Sequence, residues 1–372
     1  MSTDTASRSL TGRIAGFVAD AIVPIAPAMA RGDGPSPKRI VEAAGEARLA
    51  GILTPEAHGG AGGSHADFIE LIENVARADA SCAVILDVHL SVGTEPLLVF
   101  GNDDQKSRYL PRLARGEWLA AFALTEAAGG SDAVAMRTRA VRDGDTYVLD
   151  GAKAFITGAG DADLYIVMAR TGEGSHGISA FLVESAMPGV STGAPLAKLG
   201  LHGSWTGELV LDGVRVPAAN RLGDEGVGFT VAMSALDSGR VGISAQAVGI
   251  AQGALDASVG ASRRRSDAGL EFDATAIADM EVRTAASRQL TRYAAALVDA
   301  GRRVTLAAAI AKLYSTDACV AVAHAAVELC APESGADDHP AAIRLRDAKA
   351  CQIYEGTNQI QRVLIARHLL NG

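Results

Sequence analysis

Aromatic residues are scarce in this chain, at 4% of 372 residues. Long Ala- and Gly-rich tracts take their place and predict helices packed closely through small side chains. Basic charge is short as well: the formal net charge is −9, which disfavours nucleic acid and anionic membrane surfaces as partners. The one strong basic cluster, Arg263-Arg264-Arg265, is followed by Asp267 and Glu271 and reads as solvated surface. Only four cysteines occur, Cys82, Cys319, Cys330 and Cys351, with no C-x-x-C pair and no metal-ligand spacing. No metal site is expected, and free thiols in a reduced, cytoplasmic location fit best. The first ten residues lack the apolar core of a signal peptide. No uninterrupted apolar run reaches the ~20 residues of a membrane span, so a soluble protein is expected.

The chain is long enough for two or three domains with sizeable cores. Residues 1–116 read as an N-terminal helical domain. Ile14, Phe17, Val18, Ala21 and Ile22 recur at helical spacing, and Phe68, Leu71, Ile72 and Val75 share one face of a second stretch. The glycine-rich tract 58–65 lacks the Gly-Lys-Ser/Thr of a phosphate loop and reads as a flexible connection. Residues 84–101 read as a helix interrupted at Pro96. Across 117–222 the pattern changes to short apolar or alternating runs at 118–125, 146–149, 154–157, 164–169, 178–183 and 208–211. Asp143-Gly144, Asp150-Gly151 and Asp212-Gly213 punctuate them as turn signals, so a middle antiparallel β domain is expected. Gly172-Glu173-Gly174-Ser175-His176-Gly177 spells G-x-G-x-x-G, but a strand follows it where a pyrophosphate needs a helix N-terminus. Residues 223–372 read as a C-terminal four-helix bundle, giving a mixed α and β fold. Phe229, Met233, Leu236, Arg240, Ile243, Ala247, Ile250 and Ala254 mark the seam of a long helix that Arg240 interrupts. Leu306, Ile310, Leu313, Val320 and Val327 mark another, with His324 on its stripe expected to be a hydrogen-bonded core residue.

The most specific wording lies near the C-terminus. Gly356 can take the left-handed conformation that ends a helix, and Thr357 or Asn358 can cap the next one. Glu355 is therefore expected on a sharp turn, projecting into a cleft. The run Tyr354-Glu355-Gly356-Thr357-Asn358-Gln359-Ile360-Gln361-Arg362 closely resembles the Y-E-G-T-x-Q-I-Q-R signature of the acyl-CoA dehydrogenase family. Leu124-Thr125-Glu126-Ala127-Ala128-Gly129-Gly130-Ser131-Asp132 resembles its T-E-P-x-A-G-S-D loop, and Lys153-Ala154-Phe155-Ile156-Thr157 its K-x-[WF]-I-T strand. Val214-Arg215-Val216-Pro217 and Ala235-Leu236-Asp237-Ser238-Gly239-Arg240 are similar to two further family segments. Together they span roughly residues 15 to 370.

The resemblance implies the helical–β–helical architecture, FAD as cofactor and Glu355 as the catalytic base. It implies that Thr125 and Ser131 hydrogen-bond the flavin, that Phe155 and Thr157 lie against its ring system, and that Arg265 reaches a neighbouring subunit's FAD. Thr357, Gln359 and Tyr354 would hold cofactor and substrate around the base. Asp237 and Arg240, with Ser131, would line the path of the substrate. The substrate would be an acyl-CoA thioester, with an acyl-carrier-protein thioester as the alternative. The electron acceptor would be an electron-transfer flavoprotein or oxygen, and the assembly a homo-oligomer, tetramer or dimer.

Chemistry explains the need for such a site. Desaturating adjacent carbons sends an α-proton to a base and a β-hydride to an electron sink, and no side chain is such a sink; the resemblance assigns that role to flavin N5. Fixed donors to the developing enolate are typically worth ~10²–10³ in rate, and a positioned base another ~10²–10⁴. Desolvation should raise the pKa of Glu355. Two segments depart from the family. Arg265-Ser266-Asp267-Ala268-Gly269 lacks the Phe of R-x-x-F-G, and Glu271-Phe272-Asp273 follows it without the usual Gln. Glu328-Leu329-Cys330-Ala331-Pro332-Glu333-Ser334 stands where Q-x-x-G-G-x-G is usual, replacing donors by a carboxylate and a proline. These leave open a degenerate subunit of a heteromeric dehydrogenase with an incomplete flavin site. A flavin monooxygenase is disfavoured by retention of Glu355. The tract Ala336-Asp337-Asp338-His339-Pro340 resembles the branch acting on carrier-protein-bound acyl groups.

Overall fold

The computed structural model describes residues 9–269, 273–331 and 335–371. Seven helices come first: α1 (Leu10–Phe17), α2 (Ala26–Arg31), α3 (Pro37–Glu46), α4 (His65–Ala78), α5 (Ala80–Val88), α6 (Glu95–Phe100) and α7 (Asp103–Ala114). Several begin where the sequence supplies a side-chain cap. Ser9 caps α1 and Asp79 caps α5, while Ser64 with Asp67 and Asn102 with Gln105 form reciprocal boxes on α4 and α7. The glycine-rich tract before α4 is pinned, which corrects the flexible reading. The N–H groups of Gly60, Ala61, Gly62 and Gly63 donate to the carbonyls of Pro55, Gly51, Thr54 and Ile52. A Cβ at Gly60 would overlap the Thr54 carbonyl, so the glycine permits close backbone approach.

The interruption expected at Pro96 falls earlier. α5 runs into a π-helical segment, His89–Thr94, and Pro96 lies in the first turn of α6, where its missing N–H is tolerated. The segment is held by His89, whose Nδ1 accepts from the Ala120 N–H and whose Nε2 donates toward the Ala50 and Leu113 carbonyls, all at 3.2 Å. Burial keeps this ring neutral, lowering its pKa to about 4.

Eight strands follow: β1 (Ala120–Ala123), β2 (Arg139–Asp143), β3 (Thr146–Thr157), β4 (Leu164–Arg170), β5 (Ile178–Glu184), β6 (Val190–Thr192), β7 (Thr206–Pro217) and β8 (Arg221–Leu222). Their order is β6-β7-β3-β2-β4-β5-β8, with β1 against β4. The sheet is mixed, because β1 and β2 both meet β4 in parallel; the antiparallel expectation holds for the other pairs. Asp143-Gly144 turns between β2 and β3, but the other two Asp-Gly pairs lie inside 12-residue strands. They face each other where the β3–β7 register shifts between Leu149↔Val214 and Gly151↔Leu211, and the Gly213 N–H donates to Asp150 Oδ1 at 3.0 Å. The backbone freedom that suits a turn serves a bulge here.

The last helices are α8 (Gly228–Asp267), α9 (Ala274–Asp299), α10 (Thr305–Leu329), α11 (Pro340–Cys351) and α12 (Asn358–Asn371). Among the described residues three long helices, α8 to α10, form the body of this domain, with α11 and α12 shorter and on either side of a turn. Residues 238–251 of α8 are buried all round, so this 40-residue helix is a central rod rather than a one-sided seam. On α10 the buried face is Ala308, Ala311, Lys312, Ser315, Cys319 and Val322. Small residues there let α8 and α10 approach closely. Leu306, Ile310, Leu313, Val320 and Val327 are only half-buried, and His324 is exposed beside Glu328. That overturns the expected core histidine.

Two stretches, Ala80–Phe100 and Thr305–Leu329, are long and apolar enough to cross a membrane, although charges interrupt their apolar runs. In the most apolar window of each, 78% and 56% of the residues are buried inside the protein, so both act as interior helices.

Candidate active site

α11 ends at Cys351, well before Gly356, and the chain turns through residues 352–356. Glu355 itself is left-handed, at φ +52°, followed by Gly356 at +89°. A non-glycine residue held there stores local strain, which persists only where the surroundings over-determine it. Here they do. Lys312, fully buried, donates from Nζ to the Gly356 carbonyl and to Asn358 Oδ1, both at 2.9 Å. Gln361 Nε2 donates to the same carbonyl at 2.9 Å, and the Asn358 N–H returns to the Gln352 carbonyl at 3.0 Å. Thr357 accepts from the Ile360 N–H as a cap on α12. Gly356 is left-handed as expected, but Glu355 is too: two consecutive left-handed residues make the bend, and α10 clamps it.

Lys312 was not legible as functional, because its partners lie 44 and 46 residues away. Burial lowers its pKa to about 8. Lys312→Met should leave the turn carbonyl and Asn358 short of a donor, at a cost of about 1–3 kcal/mol. Thermal denaturation reads that loss, and turnover should fall with it as the bend loosens.

Glu355 as a whole is only half-buried, yet both of its carboxyl oxygens are shielded from solvent and have no hydrogen-bond partner. Burial raises its pKa to about 8, against the opposing pull of Arg240 and Lys312. The carboxyl lies on Gly239 of α8, where a Cβ would overlap Oε2. Gly239→Ala therefore displaces the carboxylate while leaving the helix intact. Since misplacement by about 1 Å can cost ~10²-fold in rate, kcat/KM should drop by that order with little change in melting temperature.

Arg240, 4% exposed, pairs with Asp237 Oδ1 at 2.7 Å, and Thr305 Oγ1 donates to Asp237 Oδ2 at 2.6 Å. Its Nη2 lies near the Gly356 position, so the seam-breaking arginine stands behind the Glu355 turn. Tyr354 is directed inward, donating to Gln246 Oε1 at 2.6 Å and meeting Cys351 Sγ at 3.1 Å. Its hydroxyl anchors the turn to α8. The turn-holding glutamine is buried Gln361, whereas Gln359 is exposed.

A second group lies on the sheet. The Ala154 N–H donates to the Thr125 carbonyl at 2.8 Å, joining the 124–132 loop to β3. The β3–β7 register shifts between Lys153 and Ile156, and within that bulge Phe155 takes φ +59° with 66% of its surface exposed. Thr157 is half-buried and Ser131 exposed beside the loop glycines. An uncovered aromatic held outward by a strained bulge, with a glycine-rich loop nearby, fits a flat ring system stacked on it.

Behind this surface Lys153, fully buried, donates to Glu126 Oε1 at 2.9 Å and to the Leu124 carbonyl at 3.1 Å. Glu126 also accepts from the N–H groups of Arg137 and Thr138. Burial raises the Glu126 pKa, but hydrogen bonds from Thr138, Arg137 and Lys153 outweigh it and hold it at about 2.

The middle region is tied to the neighbouring helices at two points. β1 packs on the π-helical segment next to Asp87, where a Cβ on Gly93 would stand 2.8 Å from that of Ala120. The Leu201 N–H donates to Asp347 Oδ1 of α11 at 2.6 Å. Arg265 is not gathered with the rest. It is exposed near the end of α8, 25 residues beyond Arg240 and so ~37 Å along the axis. The altered wording at 271–272 and 332–334 lies outside the described residues. Among the described residues no group of three His, Cys, Asp or Glu could hold a metal. A cavity of about 280 Å³ lined by Val141, Tyr147, Arg170 and Glu225 contains none of these site residues.

Three family models match in succession: acyl-CoA dehydrogenase N-terminal domain over residues 5–117, middle domain over 121–214 and C-terminal domain over 226–370. The chain is 45% identical over 363 residues to an acyl-CoA dehydrogenase of Bacillus subtilis, covering 96% of each. It superposes on butyryl-CoA dehydrogenase from Megasphaera elsdenii with a TM-score of 0.93, at 36% identity, covering 99% of this chain and 98% of that one. A chain in a structure described as the electron transferring flavoprotein of Acidaminococcus fermentans gives a TM-score of 0.95 at 38% identity, covering 100% and 99%.

Proposed function

The chain belongs to the acyl-CoA dehydrogenase family, and from that premise we propose that it desaturates a short acyl-CoA thioester between the α and β carbons, with Glu355 removing the α-proton. It is a flavoenzyme acting on CH–CH bonds, with FAD as its cofactor. Bound FAD supplies the acceptor for the β-hydrogen and its electron pair.

The observation that carries the reading is the Glu355 carboxyl: buried, unpartnered and held on a strained turn with its pKa raised to about 8. A base so tuned is poised to take a proton near neutral pH and to release it again. Arg240 and Lys312 favour its charged form, and the clamp from Lys312 and Gln361 keeps it aimed. Thr125, Ser131, Phe155, Thr157 and Thr357 would hold the flavin, and Asp237, Arg240 and Ser131 the thioester arm. Tyr354 acts as a positioning residue. Arg265, too distant to serve this site, would serve that of a neighbouring copy in a homo-oligomer. Exposed Val282, Tyr293, Leu369 and Leu370 support such an assembly.

Butyryl-CoA is the first substrate to test, and an electron-transfer flavoprotein or oxygen the expected acceptor. In an anaerobic titration of the FAD-loaded protein, butyryl-CoA should bleach the flavin. Bleaching only by a carrier-protein thioester would transfer the reading to that carrier. A flavin that stays oxidised with both would overturn it, and failure to take up FAD at all would favour a degenerate subunit.

A further inference from the structure

One face of α8 is bare at Gly239 and Gly242, and a carboxyl group stands in each gap. Glu355 Oε2 occupies the first and Asp87 Oδ1 the second, with Phe68 closing the far side. Positions three apart on a helix are neighbours, about 5–6 Å between Cβ atoms. The base therefore shares a dry space with a second carboxyl, carried by α5 just before the π-helical segment. Asp87 is fully buried, and its side chain receives one hydrogen bond, from Ser91 Oγ to Oδ1 at 3.1 Å. Oδ2 has no partner. The charged groups that bear on it are Glu355 and Glu95, both acidic, and no ion pair among the described residues neutralises it.

Leaving such an acceptor unmade costs about 1–3 kcal/mol. An apolar or hydroxyl side chain on α5 would avoid that cost, and proton abstraction by Glu355 requires no second carboxyl. We propose that Asp87 is a specificity-determining residue, whose open oxygen accepts a hydrogen bond from a hydroxyl or amine on the acyl chain just beyond the two carbons being oxidised. This rests on the reading of Glu355 as the base. An acyl chain with its α-carbon at Glu355 and its tail directed along α8 from Gly239 toward Gly242 runs toward Asp87. The preferred substrate is then a short acyl thioester bearing a polar donor. A plain alkyl chain leaves Oδ2 dry and unpaired, and sites built around such a bond discriminate strongly against analogues lacking it.

The test compares kcat/KM for butyryl-CoA, 4-hydroxybutyryl-CoA and 4-methoxybutyryl-CoA on the FAD-loaded enzyme and on its Asp87→Asn and Asp87→Ser variants. The hydroxyl substrate should be preferred to both others by about tenfold or more, and Asp87→Ser should remove most of that preference. The methoxy compound separates donation from size, and this comparison within the unaltered enzyme decides the matter even if neither variant folds. Turnover of butyryl-CoA without a hydroxyl preference, or a preference that survives in Asp87→Ser, overturns the proposal alone. No turnover with any of the three overturns the dehydrogenase reading as well.

Discussion

Glu355→Gln should retain the fold and the bound flavin yet lose turnover by about 10²–10⁴-fold or more, the range for a positioned general base. The substitution is nearly isosteric and adds no charge to a buried site, so Lys312, Gln361 and Asn358 should still hold the bend. Its stability should equal or exceed that of the parent, because a neutral amide is less costly to bury than a carboxylate without a hydrogen-bond partner. The pH profile provides a second readout. The folded pKa of Glu355 is about 8, raised by burial from the usual carboxylate value. The base must be ionised to act, so kcat/KM of the parent should rise with pH and level off above about 8. The residual activity of Glu355→Gln should lack that limb. The stability sign is opposite: a carboxyl whose pKa is raised on folding destabilises the fold as pH climbs from about 4.5 toward 8, where the unfolded chain is already ionised. Thermal scans over that window should show the loss in the parent and less of it in the variant.

Lys153→Met should be the most damaging single change to the sheet. It leaves the buried Glu126 carboxylate without its cation, and breaking such a pair typically costs about 3–5 kcal/mol. The N–H groups of Arg137 and Thr138 remain as donors, so the lower part of that range is expected. The loss should appear as a lower melting temperature and as weakened FAD retention, because Glu126 follows Thr125 and Lys153 lies two residues before Phe155. Glu126→Gln keeps one acceptor oxygen for the Thr138 N–H and Lys153 but sets its amide NH2 against the Arg137 N–H, and should cost less than loss of the cation. The Glu126 pKa is depressed to about 2, so its contribution is present above the unfolded value near 4.5 and fades as pH falls from there toward 2. That acid-side loss should be absent in Glu126→Gln. A Lys153→Met protein that melts and holds flavin like the parent would show the pair to be dispensable.

The helical–β–helical order could be read from periodicity where a segment buries one face and exposes another, as α4 does, whereas α5, β4, β5 and the middle of α8 are buried on all sides. Glu355 was legible because Gly356 and the surrounding wording mark it. Other features were hidden for physical reasons. No residue between Cys351 and Gly356 is a helix breaker, so the early end of α11 is imposed by Lys312 and Gln361 holding the bend. Asp150-Gly151 and Asp212-Gly213 have the composition of turns, but their pairing across β3 and β7 makes them a bulge. On α10 the larger aliphatics suggested the buried face, whereas close approach to α8 selects the Ala and Ser face that carries Lys312. The pairs Lys153–Glu126 and Lys312–Asn358, and the placement of Asp87 beside Glu355, join residues far apart in the chain, and no local pattern announces them. An acidic residue in the apolar 84–101 stretch was the one available hint of Asp87.

The most direct test is a stopped-flow experiment on the FAD-loaded protein, mixed without oxygen with butyryl-CoA carrying either hydrogen or deuterium at the α-carbon. With Glu355 as the base, the yellow colour should fade, more slowly with the deuterated compound, and Glu355→Gln should stay yellow with both. Fading at the same rate in Glu355→Gln as in the parent would contradict that role.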